Sequence, residues 1–261
     1  MRAWVRLASI AAAPLLLASC LWGPGKFTSQ LSLKKDGSFV LDYTGELMIQ
    51  LPGDTDAKME PWTGAKAKCW QGDEPSKERP CTADEVAAQK SAYDKRKSEE
   101  IGMAKAMGLP GLDEESNRAF AVKLARYAGW RSVRYRANGI FDVDYHFEGS
   151  ARQDFIFPAL PDNDLLVPFV ALRRRADGSV LVTAPAFTGG SGPMSARAGA
   201  AMTKMNDGPV SHASGRFTVV TDGEILTNNS EEGPQPHALG RQLHWDVSPA
   251  STKIPETLVK L

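Results

Sequence analysis

Three stretches of the chain predict β-hairpins, and in the first two apolar and polar residues alternate with a period of two, which is the pattern of half-buried β-strands. In each stretch an Asp-Gly or Asn-Gly pair separates two strand-like runs, and such a pair is a strong signal for a β-hairpin. The three stretches are 27–51, with its turn at Asp36-Gly37; 131–147, with its turn at Asn138-Gly139; and 165–183, with its turn at Asp177-Gly178. The pattern therefore predicts a sheet built from several antiparallel hairpins.

The period changes between the first and second hairpins, where about 82–129 is predicted to form a helical insertion. Thr82 and Glu85 have the spacing of a capping box, so the first helix is expected over about 83–107. Its middle is mostly charged, and it is interpreted as either a solvated helix or a cover over a groove. The second helix is predicted over about 113–128 from an apolar stripe at Phe120, Leu124 and Tyr127.

These elements predict a single α+β domain over 26–261, an antiparallel sheet of several β-hairpins with a helical hairpin packed on its apolar face. Within it, 187–214 is expected to be flexible because it is rich in Gly, Ser, Ala and Met. An ordered short helix, a mobile surface loop and an apolar flap over a ligand all fit that composition.

The first twenty residues have a different pattern. Two arginines precede an apolar run from Leu7 to Leu17, and Leu17-Ala18-Ser19-Cys20 follows. A basic start, an apolar run and small residues form a secretory signal peptide, here 1–19. The run is too short to cross a bilayer core of roughly 30 Å. The four residues before and at the cleavage point match the lipobox of bacterial lipoprotein precursors, although an ordinary signal peptide with an incidental cysteine is the alternative.

The lipobox resemblance implies that Cys20 carries diacylglycerol, that cleavage occurs before it, and that an acyl chain such as palmitate is added to its amine. Residues 20–25 are then a short lipidated tether, and Trp22 suits a membrane interface. Two or three acyl chains anchor a protein far more firmly than one chain does. We therefore predict localisation in the cell envelope, on the periplasmic face of a membrane if the cell is Gram-negative. Leu21, which is not aspartate, favours the outer membrane by resemblance to enteric lipoproteins.

Charge and cysteine content narrow the functional classes. The precursor has 31 basic and 31 acidic side chains, and removal of Arg2 and Arg6 leaves a slight acidic excess. A nucleic-acid partner is not expected, because such proteins have a strong basic excess. Besides Cys20, the chain contains Cys69 and Cys81, and in an exported protein such a pair predicts a disulfide bond.

The motifs of common enzyme classes are absent from the sequence, which has no H-E-x-x-H, C-x-x-C, P-loop or G-x-S-x-G. One S-x-x-K occurs at Ser32–Lys35, but it falls on a predicted strand and turn. The carboxylates of Asp142 and Asp144 share one strand face with His146, and this face is expected to be solvated. Trp245 is interpreted as a core residue, with sugar stacking as the alternative. We predict no catalytic residue, no metal and no cofactor.

Arg173, Arg174 and Arg175 end the first strand of the third hairpin. They are interpreted as either a soluble hairpin tip or a contact with anionic lipid headgroups. The second interpretation assumes that the short tether keeps the tip within reach of the bilayer.

The last part of the chain resembles a known family. Residues 215–229 form a strand, an Asp-Gly turn and a second strand ending in Asn-Asn, followed by 243–247 with its Trp and by 255–260. This order is similar to the end of the LppM-type domain of bacterial lipoproteins, and the opening hairpin after Cys20 is similar too. The resemblance implies an α+β module compared with lipid-binding folds, and an envelope role without catalysis.

Together these observations predict a membrane-anchored, non-enzymatic envelope lipoprotein that binds lipid or another apolar envelope molecule between its sheet and its helices. Two alternatives remain open: a structural or assembly partner of an envelope protein complex, and an envelope hydrolase. The expected partners are thus the membrane through the lipid anchor, a lipid ligand and an envelope protein.

Overall fold

The computed structural model describes residues 22–49, 62–71, 78–106, 110, 113–160, 167–188 and 212–261. Within these ranges the helices are α1 (Ala83–Ala106) and α2 (Glu114–Leu124). The strands are β1 (Trp22–Leu33), β2 (Ser38–Ile49), β3 (Cys69–Trp70), β4 (Glu78–Arg79), β5 (Trp130–Ala137), β6 (Ile140–Ser150), β7 (Phe155–Phe157), β8 (Val170–Arg174), β9 (Val180–Thr183), β10 (Ser214–Thr221), β11 (Glu224–Asn228), β12 (Gln235–His237), β13 (Gly240–Val247) and β14 (Glu256–Lys260).

The three hairpins expected from the strand-like runs and their Gly-containing turns are present as β1–β2, β5–β6 and β8–β9. The chain is mostly β, and its strands form two larger sheets instead of the one that was predicted. The first has the order β12-β13-β10-β1-β2-β6-β5 and the second β11-β14-β9-β8-β7, while β3 and β4 form a separate two-stranded ribbon. All pairs are antiparallel except β1 with β10, which is parallel.

The two larger sheets pack face to face, and aromatic rings fill the space between them. The ring centroids lie 4.1 Å apart for Phe27 and Phe187, and 5.1 Å apart for Tyr43 and Phe157. These side chains belong to one continuous hydrophobic core that takes buried residues from both sheets. The apolar face of the seven-stranded sheet is therefore covered mainly by a second sheet, which the sequence pattern did not predict.

The predicted helical hairpin does not pack on this face as a unit. Helix α2 does, because its residues Phe120, Ala121 and Leu124 are buried in the core. No described residue of α1 belongs to that core. Helix α1 instead packs on the segment before it, where the rings of Trp62 and Tyr93 lie 5.6 Å apart. The thin apolar face of α1 explains the difference, because such a helix has little surface to bury.

The Asp-Gly turn of the last predicted strand pair connects two different sheets. Strand β10 ends at Thr221 in the seven-stranded sheet, and β11 begins at Glu224 in the five-stranded sheet. A Cβ atom at Gly223 would come within 2.6 Å of Val259 Cγ1. Glycine thus permits the close approach at which the chain crosses from one sheet to the other.

The first strand begins earlier than the predicted tether allows. Of residues 20–25, only 20 and 21 precede β1, because the strand starts at Trp22. The signal peptide and Cys20 lie outside the described residues, as does most of the segment 187–214 that was predicted to be flexible. Its described ends are 187–188 and 212–214, the last of which begins β10. Neither described helix combines the length and the apolar character that a membrane crossing requires.

Candidate functional site: the anchor strand and the two ends of the sandwich

Strand β1 connects the predicted anchor to the core. Trp22, two residues after Cys20, is only 3% exposed, and its ring lies 5.4 Å from that of Phe120 and 5.8 Å from that of Phe141. The expectation that Trp22 occupies a membrane interface is therefore wrong. Three consecutive Cα atoms span at most about 7.6 Å. An acyl group on Cys20 would thus be attached almost directly to the rigid body.

The strands define two ends of the sandwich. The anchor end contains Trp22, Ile49 and the Asn138-Gly139 turn, since Trp22 pairs with Ile49 and the Ile49 amide donates to the Gly139 carbonyl over 2.9 Å. The far end contains the turn at 34–37, through which β1 continues into β2. A 12-residue strand at about 3.3 Å per residue separates the two ends by about 36 Å.

The arginines at the end of β8 lie at the far end. The ring of Phe39, next to the β1–β2 turn, is 4.9 Å from that of Phe155, and Phe155 pairs with Leu172. Two residues farther along β8, the Arg174 amide donates to the Asp154 carboxylate over 3.1 Å. The Ala151 amide of the same connection donates to Gly37 over 2.7 Å.

This position corrects the reason for predicting headgroup contact by Arg173, Arg174 and Arg175. A short tether at Cys20 would bring the anchor end to a bilayer, whereas the arginines lie at the opposite end of the sheet. At physiological ionic strength, charges more than about 8 Å apart in solvent are largely screened. The predicted tether would therefore give these arginines no attraction to a membrane that holds Cys20.

The outer face of the seven-stranded sheet is polar, as expected for the face that bears Asp142, Asp144 and His146. Asp142 accepts hydrogen bonds from Arg136 and from Arg134, the latter over 3.0 Å, and Arg136 also donates to Glu46 over 3.0 Å. Burial raises the pKa of Asp142, but the bonds from these two arginines outweigh it and leave the pKa below its ordinary value. Its carboxylate is thus engaged with cations on the neighbouring edge strand.

His146 bridges two strands of the same face. Its Nδ1 lies 2.6 Å from the Asp42 carboxylate, and its Nε2 lies 3.4 Å from that of Glu148. The bond to Asp42 is the main reason why the pKa of His146 is raised above its ordinary value. The ring therefore links β2 and β6 through its contact with Asp42.

Cys69 and Cys81 form the predicted disulfide bond, with their Cα atoms 5.3 Å apart. The capping box is also present, because Thr82 Oγ1 accepts from the Glu85 amide over 3.3 Å and Glu85 accepts from the Thr82 amide over 2.8 Å. A hydrogen bond from Arg79 is the main cause that lowers the pKa of Glu85 to about 2. Glu85 and both sulfurs form the one compact group of potential metal ligands among the described residues, but the disulfide consumes the two thiolates.

The residues of the S-x-x-K motif and Trp245 lie in the sheets and their turns, where they contact neighbouring strands. Ser32 lies on β1 and Lys35 in the following turn, where its amide donates to Asp222 over 2.7 Å. Trp245 packs 5.6 Å from Phe217 against the core, and its Nε1 donates to the side chain of Asn229 over 2.9 Å. Asn229 also accepts from the Glu256 amide, so it joins the two sheets at one edge. The sequence showed only the Asn-Asn pair at the strand end and gave no sign of this role.

A small depression lies at the far end, between the β1–β2 turn and the β12–β13 turn. Its volume is about 290 Å³. Leu33 and Val220 form its floor, exposed Leu239 forms one wall, and Lys34 and Asp222 stand at its rim.

No protein-family model matches the chain, and no curated protein matches it. Among solved structures, the folded domain of LppM from Mycobacterium tuberculosis, determined by NMR, is similar over 91% of each chain. The two sequences are 12% identical and the TM-score is 0.28. This neighbour is of the lipoprotein type that the end of the sequence resembles, but at this TM-score the similarity supports no assignment of fold or function.

Proposed function

We propose that this chain is an envelope lipoprotein whose non-catalytic domain is held by one end against a bilayer and presents its other end to a protein partner. The observation that supports this proposal is the junction between anchor and fold. Strand β1 begins two residues after Cys20, and its first side chain, Trp22, stacks on Phe120. A firm anchor on so short a connection restricts the distance of the domain from the bilayer and its tilt. Such restriction helps a protein to present one surface to a partner, whereas a protein that only needs to stay at the membrane does not require it.

An assembly role is favoured over storage of a lipid between the sheets. Lipid uptake there would require the separation of rings whose centroids lie about 4 to 5 Å apart, such as Phe27 from Phe187 and Tyr145 from Phe157. Close-packed interiors resist such opening, because the lining side chains lose their contacts. Lipid binding nevertheless remains the second candidate, since it is what the LppM-type resemblance implies.

A non-enzymatic role is supported by the state of the ionisable groups on the polar face. Asp142 is engaged by arginines, and His146 lies between Asp42 and Glu148. A general acid or base must reach a substrate in a site from which water is largely excluded, and these groups lie on an open sheet face. Their arrangement is that of ion pairs that connect neighbouring strands.

The test of the anchor uses the Cys20→Ser variant of the full precursor. Metabolic labelling with palmitate should mark the parent protein and not the variant, and the variant should leave the membrane fraction. The Cys69→Ser/Cys81→Ser double variant is the matched control. It also replaces cysteine with serine but keeps Cys20 and the lipobox, so it should remain labelled. Unchanged membrane attachment of the Cys20→Ser protein would contradict the proposal.

The choice between assembly and lipid binding requires a different measurement. Native mass spectrometry of the gently purified mature protein should show the acylated chain without further lipid in stoichiometric amount. Co-purification of one defined lipid would favour lipid binding instead, provided that the lipid is lost when Phe187→Ala alters the core.

A further inference from the structure

The far end of the sandwich carries four arginines that are not paired with acidic side chains. Arg173, Arg174 and Arg175 end β8, and Arg152 lies in the connection that contacts this strand through Asp154. All four are exposed, and none forms an ion pair within the part of the chain that the structure describes. We call these four residues the arginine tip.

The acidic side chains around the tip are engaged by nearby amides and hydroxyls. Asp177 accepts from the amide and the hydroxyl of Ser179 over 3.0 and 2.6 Å. Asp36 accepts from the amide and the hydroxyl of Ser38 over 2.8 and 2.6 Å. Asp154 accepts from the Arg174 amide and so fixes the backbone of the tip without pairing with a guanidinium. Asp36 and Asp177 also interact electrostatically with Arg152 and Arg175, but within the described residues none of the four guanidinium groups donates a hydrogen bond to a carboxylate.

The position of the arginine tip indicates which kind of ligand it can reach. The tip lies about the length of β1 from Trp22, so the anchoring bilayer is far beyond the range of screened electrostatic attraction. A guanidinium presents donors in a planar fork that matches a carboxylate. Several exposed guanidinium groups at this end of the hairpin, about the length of β1 from Trp22, fit a surface rich in Asp and Glu.

We propose that the arginine tip is the docking surface for an acidic segment of a second envelope protein. This proposal rests on the proposed anchoring through Cys20, because the anchor determines which end of the molecule faces away from the bilayer. The partner's carboxylates would be bound by Arg173, Arg174 and Arg175, with Arg152 at the margin of the contact.

The test uses the full mature, acylated protein in vesicles of neutral phosphatidylcholine, with fluorescent poly-L-glutamate as the probe. The variant Arg173→Gln/Arg174→Gln/Arg175→Gln should bind the probe about tenfold more weakly, as three exposed ion pairs of modest strength predict. The matched control, Arg126→Gln/Arg131→Gln/Lys253→Gln, removes the same charge from exposed positions elsewhere and should bind as the parent does.

Two outcomes would overturn the proposal. An equal loss in both variants would mean that net charge alone attracts the probe. A loss of binding to anionic vesicles by the tip variant, with unchanged binding to poly-L-glutamate, would identify the tip as a lipid contact. Fractionation distinguishes failure of the proposed anchor from failure of the proposed docking surface. If Cys20 is acylated, the parent, the tip variant and the control variant should all remain in the membrane fraction.

A photo-crosslinking residue at Ala176, within the far-end turn, extends the test to cells. It should form one protein adduct with the parent protein, and the adduct should disappear when the three arginines are replaced. Persistence of the same adduct in the tip variant would also contradict the proposal.

Discussion

At the scale of single residues, Tyr43 shows how the two sheets are held together. Its side chain is fully buried, and its ring lies between 5.1 and 6.5 Å from those of Phe157, Phe169 and Phe187. Its hydroxyl donates to the Glu46 carbonyl over 2.7 Å, and burial raises the pKa of the phenol. One residue of β2 thus contributes both inter-sheet packing and a hydrogen bond within its own strand.

Replacement of Tyr43 should separate these two contributions. Tyr43→Ala leaves a cavity between the sheets and should lower the free energy of unfolding by about 3 to 5 kcal/mol. Tyr43→Phe keeps the ring, removes one hydrogen bond and should cost about 1 kcal/mol. Urea denaturation measures both, and exposed Tyr127→Ala is the control, expected to change stability by less than about 0.5 kcal/mol. Similar losses in the alanine and phenylalanine variants would show that the ring packing matters little.

His146 should make stability depend on pH. The pKa of the folded state is raised by Asp42, so the histidine stabilises the fold fully below its ordinary pKa of 6.5. This contribution should be lost as pH rises through the higher pKa of the folded state. As pH rises from below 6.5 into the alkaline range, urea midpoints of the parent should therefore fall more than those of His146→Gln. An NMR titration of Asp42→Asn should show a lower His146 pKa, and an unchanged pKa would contradict this account.

At the scale of elements, the described residues from Trp62 through α1 form a local unit, which we call the stapled arm (62–71 and 78–106). Several contacts hold the arm together: Gln89 donates to the Lys68 carbonyl over 3.0 Å, Arg79 pairs with Glu85 at 2.6 Å, and the disulfide links β3 to Cys81, two residues before α1. Because no described residue of the arm belongs to the core, the stability of the arm and that of the sandwich should be separable.

The Cys69→Ser/Cys81→Ser variant tests this separation. Removal of a crosslink that closes a loop of this size costs about 3 kcal/mol in the chain-entropy model. Hydrogen exchange should therefore speed up across α1, while the amides of β2 and β6 keep their protection. Equal loss of protection in both regions would show that the arm supports the sandwich.

At the scale of the whole molecule, the position of β1 relates the anchor to the remaining surfaces. The N-terminal end of β1 lies beside Ile49 and the Asn138-Gly139 turn, whereas the turns at 34–37 and 175–178 lie at the other end. Under the proposed acylation of Cys20, so short a connection should give the domain one preferred orientation on the bilayer.

Fluorophores on single cysteines should report that orientation. In acylated protein with its disulfide intact, Met48→Cys carries the label at the anchor end and Ala176→Cys carries it at the far end. Lipids with a nitroxide on the headgroup should quench the label at position 48 strongly and the label at position 176 hardly at all, because paramagnetic quenching acts only at short range. Equal quenching at the two positions would mean that the domain lies flat or tumbles freely.

The sequence determined the local features because each of them depends on near neighbours. Strand-like runs on both sides of Asp-Gly or Asn-Gly turns predicted the hairpins β1–β2, β5–β6 and β8–β9, and the spacing of Thr82 and Glu85 predicted the start of α1. The pairing of Cys69 with Cys81 and the solvated position of Asp142 also followed from local pattern. The lipobox at Cys20 and the absence of catalysis stay predictions.

The tertiary structure alone decided which strands share a sheet and which ends of the strands lie together. The parallel pairing of β1 with β10 joins residues that are far apart in the chain, and an alternating strand fits either sheet of a sandwich equally well. For the same reason the sequence could not show that Trp22 is buried or that Arg173–Arg175 lie opposite the anchor. Those positions follow from long-range packing between two sheets, which local periodicity does not encode.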